Sequence, residues 1–469
     1  MSTVPLSIRP GEARAQRRAR PVRRWWRDAA GLAAWTIVLF VTALWVAGHG
    51  VQQLNSVASG LTSAGRLTGL LSAALLLLQV LLMARIPWVE RSYGQDALAR
   101  RHRLTGFTSF VLLCLHIVLI SLGYAATDHT GLIAEVWDLV TTYPGMLLAT
   151  AGTAALVLVV VTSVRAARRR LRYESWHLLH LYAYLGVGLV LPHQLWTGAD
   201  FTASAAATMF WWTAYATAAT AVLVFRVVLP LTCSLRHRLV VDRVVREGNG
   251  VVSVHLRGRW LDRLPVVAGQ FFVWRFRHGT GWTRGKPFSL SAAPDGHRLR
   301  ITARDLGPGS ARLANLPVGT RVWFEGPYGT VTGAVRTSRK ITMFASGIGI
   351  TPLRALLEEL PYEPGEAVLF YRFSSPAQPL FHHELEHLAR TRGVRIHYLP
   401  GHRARDRVSW LPAGYAPVPD RTVLRHFVPD IAEHDVYVCG PTAWASAAIE
   451  CASQCGVARQ RIHFEHFAW

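Results

Sequence analysis

Lysine is almost missing from this chain of 469 residues: Lys286 and Lys340 are the only two, so arginine supplies nearly all of the positive charge. That skew matches the codon bias of a GC-rich genome and decides nothing about function. Cysteine is scarce too. Cys114, Cys233, Cys439, Cys451 and Cys455 make neither a disulfide framework nor a zinc spacing. Cys451 and Cys455 can share one helical face, but no further metal ligands accompany them. Acidic residues number 28 against 51 basic ones, a formal charge of +23. Such an excess suits nucleic acid or an acidic membrane surface. Its placement argues for the membrane and against nucleic acid. Long apolar runs are missing after about residue 235, where polar and apolar residues alternate as in a soluble protein. No cleavable signal peptide is evident; the Arg-rich start runs into an apolar stretch long enough to span and expected to anchor the chain itself.

What is present before residue 235 is a set of long apolar segments, at 29–48, 67–87, 104–124, 144–164, 176–196 and 209–231. Each offers about 20 residues, the length a bilayer core demands. Six spans put both termini on one side. Arg9, Arg14, Arg17, Arg18, Arg20, Arg23, Arg24 and Arg27 precede the first span. Arg91, Arg100, Arg101 and Arg103 lie between the second and third, and Arg165, Arg168, Arg169, Arg170 and Arg172 between the fourth and fifth. The three opposite loops, of 12 to 19 residues, hold only Arg66. The positive-inside rule therefore predicts that both termini and the soluble half are cytoplasmic.

Ionisable residues inside spans are costly and are usually functional. The third span carries His102 and His116, fourteen residues apart, and the fifth His180 and His193, thirteen apart. At 1.5 Å rise per residue each pair is separated by roughly 20 Å along its helix. Both spans run in the same direction, so the four histidines form two matched pairs, one near each membrane surface. Ligation of two b-type haems, each between imidazoles on facing helices, needs this arrangement. His177 competes with His180 for the inner position, and the thirteen-residue spacing favours His180. Arg66 and Arg85 are placed either to pair with haem propionates or to snorkel to the interface.

From about 237 the chain reads as short alternating strands between Gly and Pro, as in a small antiparallel barrel. Within it, Arg284-Gly-Lys286-Pro287-Phe288-Ser289-Leu290-Ser291 joins a planar ring to hydroxyls on one strand, which suits an isoalloxazine. Gly307-Pro-Gly309-Ser310 opens a short helix and makes a pyrophosphate cradle. After residue 340 a buried-type strand, 341–345, leads through Ser346-Gly347-Ile-Gly349-Ile350-Thr351-Pro352 into a helix. Strand, glycine turn and helix in that order hold a nucleotide pyrophosphate in a parallel α/β sheet, although the GxGxxG fingerprint is absent. A later strand ends in Cys439-Gly440-Pro441, where ligands gather in such sheets.

In this order the parts resemble the ferric reductase and NADPH oxidase superfamily over roughly residues 29–469. The resemblance implies a six-helix all-α membrane bundle, then a cytosolic antiparallel β-barrel domain for FAD and an α/β parallel-sheet nucleotide-binding domain. The expected boundaries are a basic tail at 1–28, the haem-binding spans at 29–235, the flavin domain at 236–335 and the nucleotide domain at 336–469. The inner haem falls to His102 and His180, the outer to His116 and His193. Residues 286–291 are similar to the family's HPFSLS flavin motif, with Lys286 in place of the usual His. Gly307 and Ser310 align with its flavin-pyrophosphate turn. Gly347, Gly349, Thr351 and Pro352 align with its nicotinamide-nucleotide turn. Cys439 matches the cysteine that approaches the nicotinamide, and Trp469 the terminal aromatic that covers the flavin. Arg372 and Ser374, with Arg403 after the next strand, suit a 2′-phosphate and favour NADPH over NADH. No calcium-binding extension is seen. The implied enzyme sits in the plasma membrane and passes electrons from NADPH through FAD and two haems to an acceptor outside. Ferric chelates come first, O₂ second, and a periplasmic or quinone partner third.

Overall fold

The structure, a computed structural model, describes residues 25–164, 173–248, 250–305, 312–374, 379–402, 404, 407–415 and 417–465. The first half is helical: α1 (Trp25–Ala47), α2 (Val57–Met83), α3 (Pro87–Tyr93), α4 (Gln95–Asp128), α5 (Leu132–Thr142), α6 (Met146–Ser163), α7 (Tyr173–Trp196) and α8 (Ala205–His237). Among the described residues six of these are long and apolar enough to cross a membrane, all but α3 and α5. α1 begins four residues inside the stretch assigned to the basic tail. α4 begins nine residues before the expected span, so His102 lies well inside the helix. The 19-residue loop expected after the third span holds a helix instead. In α5, Glu135 and Leu139 are buried while Ile133 and Trp137 are exposed, each pair four residues apart on one face.

Small residues set the helix packing, because apolar side chains gain nothing from leaving lipid and close contact supplies the attraction instead. A Cβ on Gly65 would fall 2.9 Å from Ile120, and one on Gly152 would fall 2.8 Å from the carbonyl of Gly186. α2 therefore lies tightly along α4, and α6 along α7. The two helix pairs face each other across an open interior. In α8 a π-helical stretch covers Leu223–Val228 just before Pro230, whose ring and missing N–H disturb the ordinary ladder.

α8 runs directly into the soluble half. β1 (Val240–Gly248), β2 (Val251–Arg257) and β5 (Arg298–Arg304) form one antiparallel sheet in the order β1-β2-β5. β3 (Phe271–Phe276), β4 (Lys286–Ser289) and β6 (Val322–Tyr328) form a second, ordered β4-β3-β6. The expected barrel is thus two three-stranded sheets, joined at their seams by single bridges at Val240–Arg321 and Leu290–Ile301. Val254, Phe272, Trp274, Leu290 and Phe324 fill the space between them. A parallel sheet follows, built from β7 (Ile341–Ser346), β8 (Ala367–Phe373), β9 (Arg395–Pro400), β10 (Asp435–Cys439) and β11 (Ile462–Phe464). Its order is β11-β10-β7-β8-β9, with α9 (Ile350–Glu359), α10 (His382–Arg392), α11 (Asp420–Phe427) and α12 (Thr442–Gln454) among its connections. The order reverses between β7 and β10, which opens a crevice at their C-terminal ends.

Three parts of the chain meet under one end of the bundle. Arg226 of α8 reaches Glu325 of β6 at 2.7 Å, and the Arg85 guanidinium lies 4.2 Å from the Tyr328 ring centroid. Arg85 also donates to Glu90 and Gln95. Burial alone would raise Glu325, but Arg226, Arg85 and Arg275 outweigh it and hold the carboxyl below its usual range. Glu465, just past β11, is raised to about 8 by burial and then by Asp96 and Glu90. A carboxyl raised above its ordinary 4.5 holds its proton more tightly when folded. Its contribution is full below the unfolded value and is lost as the pH rises towards the folded one. The melting temperature of the wild type should therefore fall relative to that of Glu465→Gln by about 3 °C or more between pH 5 and pH 8, read by thermal unfolding in detergent. Parallel curves for the two proteins would contradict this.

Candidate functional site

The space between the helix pairs is one continuous cavity of about 2610 Å³. Single-ligand pockets are about 300–1,000 Å³, so this one has room for several. Its walls include His102, His116, His180 and His193, and it continues past His177 and Arg226 to Arg275, Arg284, Lys286, Pro287 and Phe288. The membrane interior and the flavin-motif strand therefore share one continuous space.

Each of the four imidazoles is held by its Nδ1. His102 Nδ1 meets the Gln79 carbonyl at 3.2 Å, and His116 Nδ1 meets that of Gly65 at 2.8 Å. A carbonyl only accepts, so both Nδ1 atoms carry the proton and leave Nε2 with a free lone pair. His180 Nδ1 is 3.3 Å from Ser163 Oγ, which also accepts from Trp176 Nε1, and His193 Nδ1 is 2.7 Å from Thr197 Oγ1. This is how metal-ligating histidines are oriented. The rings of His102 and His180 face each other with centroids 5.9 Å apart, so His180 rather than His177 is the ring set opposite His102. That gap accommodates one metal ion between two nitrogens at about 2 Å each. Around the outer pair, a Cβ on Gly69 would strike the His116 ring at 2.5 Å, and one on Gly145 would come within 2.9 Å of the His193 backbone. The four imidazoles as a donor set, the Nδ1-protonated tautomer of His102 and His116, and the 5.9 Å gap of the inner pair fit bis-histidine haem. Arg66 and Arg85 are engaged by the protein itself, through Asp200 and Gln53 and through Glu90 and Gln95 respectively.

At the flavin-motif strand, Trp274 Nε1 donates to the Phe288 carbonyl at 3.0 Å and fixes the register of β4 against β3. Phe288, Pro287 and Lys286 are half-buried on the cavity side, Arg284 is exposed, and Ser289 and Leu290 are buried. Ser291 lies apart from them in its contacts. It is fully buried, its Oγ accepts from Arg300 and Thr302, and Arg300 continues to Glu384. It ties the two soluble domains together. Gly307, Gly309, Ser310, Arg403 and Trp469 lie outside the described residues.

At the crevice of the parallel sheet, Gly347 takes φ +57° and Gly349 abuts β10, where a Cβ would lie 2.2 Å from the Cys439 carbonyl. Ile350, Thr351 and Pro352 follow as the buried first turn of α9. Cys439, Gly440 and Pro441 end β10 beside this turn, and burial raises the Cys439 thiol well above its usual value. Arg372 ends β8, half-buried, and Ser374 follows it, exposed. The turn and the cysteine thus converge on the switch point.

Two family models match the chain: a ferric reductase like transmembrane component over residues 68–191 and an oxidoreductase NAD-binding domain over 343–449. The first stretch contains His102, His116 and His180 and ends two residues before His193; the second contains the glycine turn and Cys439. The chain thus joins a ferric reductase like transmembrane component to an oxidoreductase NAD-binding domain. Curated relatives include the glycine betaine monooxygenase reductase subunit of Chromohalobacter salexigens, 26% identical over 39% of this chain and 51% of the relative. The flavohemoproteins of Bacillus subtilis and Chromobacterium violaceum are 24% and 30% identical over 49% and 47% of this chain, and 58% of each relative. The chain spans about half the length of these relatives.

Replacing His116 or His193 of this oxidoreductase with Ala should halve the haem content measured as pyridine haemochrome and leave flavin content unchanged. Full haem in either variant would remove that histidine from the ligand set.

Proposed function

We propose that the protein moves electrons from cytosolic NADPH across the plasma membrane to an extracytoplasmic ferric chelate. The observation that carries this reading is the single cavity shared by two histidine pairs and the flavin-motif strand. Bound there, FAD supplies the conversion of a hydride into single electrons and two haems supply one-electron conduction through lipid.

The chain's own residues supply position and exclusion. Gly347 and Gly349 let the nucleotide pyrophosphate approach the start of α9, where helix N–H groups point at it. Arg372 offers its guanidinium to a 2′-phosphate, and Cys439 borders the nicotinamide position. Phe288, locked by Trp274, would offer a flat face to a bound isoalloxazine, and Trp469 would be its cover between turnovers. His102 with His180, and His116 with His193, would hold the two haems. Apolar walls from α2, α4, α6 and α7 keep water out of the path. Among the described residues, the segment with Arg91, Arg100, Arg101 and Arg103 lies at the end of the bundle that meets the soluble half, which supports a cytosolic position for both termini. A negative-inside potential then favours outward electron flow by about 2.3 kcal/mol per 100 mV.

A second reading, an electron-relay subunit for a protein or quinone partner, draws support from the reductase-subunit relatives. Purified protein given NADPH should develop a reduced b-type α band, which a ferric chelate reoxidises with Fe(II) formation. Superoxide-dismutase-sensitive dye reduction in place of Fe(II) would assign O₂ instead. Inertness toward both, with a co-purifying partner, would assign the relay. Arg372→Ala should raise KM for NADPH by about tenfold or more, the worth of a charge-assisted hydrogen bond, with little change for NADH. Equal losses with both nucleotides would count against the 2′-phosphate contact.

A further inference from the structure

The end of the bundle remote from the soluble domains carries one arginine and four carboxylates: Arg66 against Asp128, Glu135, Asp138 and Asp200. With histidines neutral that is one positive and four negative charges, a net of −3. The arginine is not available to an incoming anion. Its Nε donates to Asp200 Oδ2 at 2.7 Å, its Nη2 pairs with Oδ1 of the same carboxylate, and its Nη1 donates to Gln53 Oε1 at 2.7 Å. Every guanidinium nitrogen is already engaged.

The other three carboxylates come from the end of α4 and from α5. Asp128 and Asp138 are exposed, while Glu135 is buried and accepts from Thr130 Oγ1 at 2.7 Å. Tyr143 follows α5 directly and lines the cavity with Tyr124, Val136, Leu139 and Val140. Burial, Tyr124, and then Asp138, Asp128 and Glu135 raise the Tyr143 phenol, so the three carboxylates reach this wall electrostatically. Gly145, two residues further on, packs against the backbone of His193. The mouth over the outer histidine pair therefore combines apolar side chains with the Arg66–Asp200 pair and two tyrosines, and is negative in its field.

We propose that this mouth selects the acceptor by charge, admitting neutral and cationic ferric complexes such as trihydroxamates and disfavouring polycarboxylate chelates such as ferric citrate. The inference rests on the ferric reading given above. The balance is NADPH + 2 Fe(III) → NADP⁺ + H⁺ + 2 Fe(II), with one electron delivered to each complex and the proton left on the nucleotide side. Clefts with low-dielectric walls focus such a field and change on-rates by about 10-fold or more, and salt removes the effect.

Complexes differ in potential, so the deciding readout is the sign of the salt dependence. Purified holoprotein reduced with NADPH is mixed with hexaammineruthenium(III), a cation, or hexacyanoferrate(III), an anion, and haem reoxidation is followed by stopped flow. As ionic strength rises from about 0.01 M, where the Debye length is about 30 Å, to about 1 M, where it is about 3 Å, the cation rate should fall about tenfold and the anion rate should rise. Both slopes should shrink in Asp128→Asn/Asp138→Asn, with haem content reporting that this variant has folded; the wild-type slopes need no variant. In parallel, Fe(II) formation should be faster with an ammonium-bearing ferric trihydroxamate than with ferric citrate at low salt, and the gap should narrow at high salt. Slopes of equal sign, or none, overturn charge selection and leave the ferric reading standing. Absence of Fe(II) from any ferric complex, with the ruthenium probe still reoxidising the haems, overturns both.

Discussion

The structure depends on how four imidazoles are kept from turning. A histidine in lipid is costly unless one nitrogen has a partner, and here each Nδ1 has one: two backbone carbonyls and two hydroxyls. For His102 and His116, whose partners are carbonyls, that contact fixes the tautomer and leaves Nε2 with its lone pair. The glycines follow from the same demand. Gly65 exposes its carbonyl to His116 while clearing space for Ile120, and Gly69 leaves room for the imidazole itself. Partner atoms and clearance come from α2 for the α4 histidines. Ser163, at the end of α6, does the same for His180 on α7. His193 is held from the end of its own helix by Thr197, the other three rings by a neighbouring helix, and the open interior between the pairs is what remains.

The soluble half reaches this interior through a junction made of charge rather than apolar contact. Arg85, Arg226 and Arg275 surround Glu325 where α8 passes into β1. Glu325 and Glu90, both buried, against three guanidiniums are stable only as a set, since removal of a partner leaves an uncompensated charge. The cost is met because the junction brings the Lys286–Phe288 strand to the edge of the membrane cavity. Positioning, rather than stability, accounts for polar groups at such a depth.

Much of this was legible in the residues because it is periodic. Span length, the thirteen- and fourteen-residue histidine spacings and the strand–glycine–helix order each follow from one repeat distance, and the structure places them accordingly. What stayed hidden depends on partners distant in the chain. Arg66 reads as a lone interfacial cation until Asp200, 134 residues away, is found against it. Ser291 reads as a flavin hydroxyl because it sits in a flavin-like motif, yet Arg300 and Thr302 turn it inward. α5 was hidden by its length: eleven residues fall short of a span, and its two short faces show only once the bundle gives it something to lie on.

The unbroken passage from α8 into β1 makes the two halves poor candidates for separate cassettes. A fragment starting near Val240 would keep Glu325 in its pocket but lose Arg85 and Arg226 together, and Tyr328 would lose the guanidinium over its ring. Such a fragment inherits a raw underside, an acid seeking counterions from solvent. Chimeras that graft this dehydrogenase onto another anchor would have to transplant those arginines along with it.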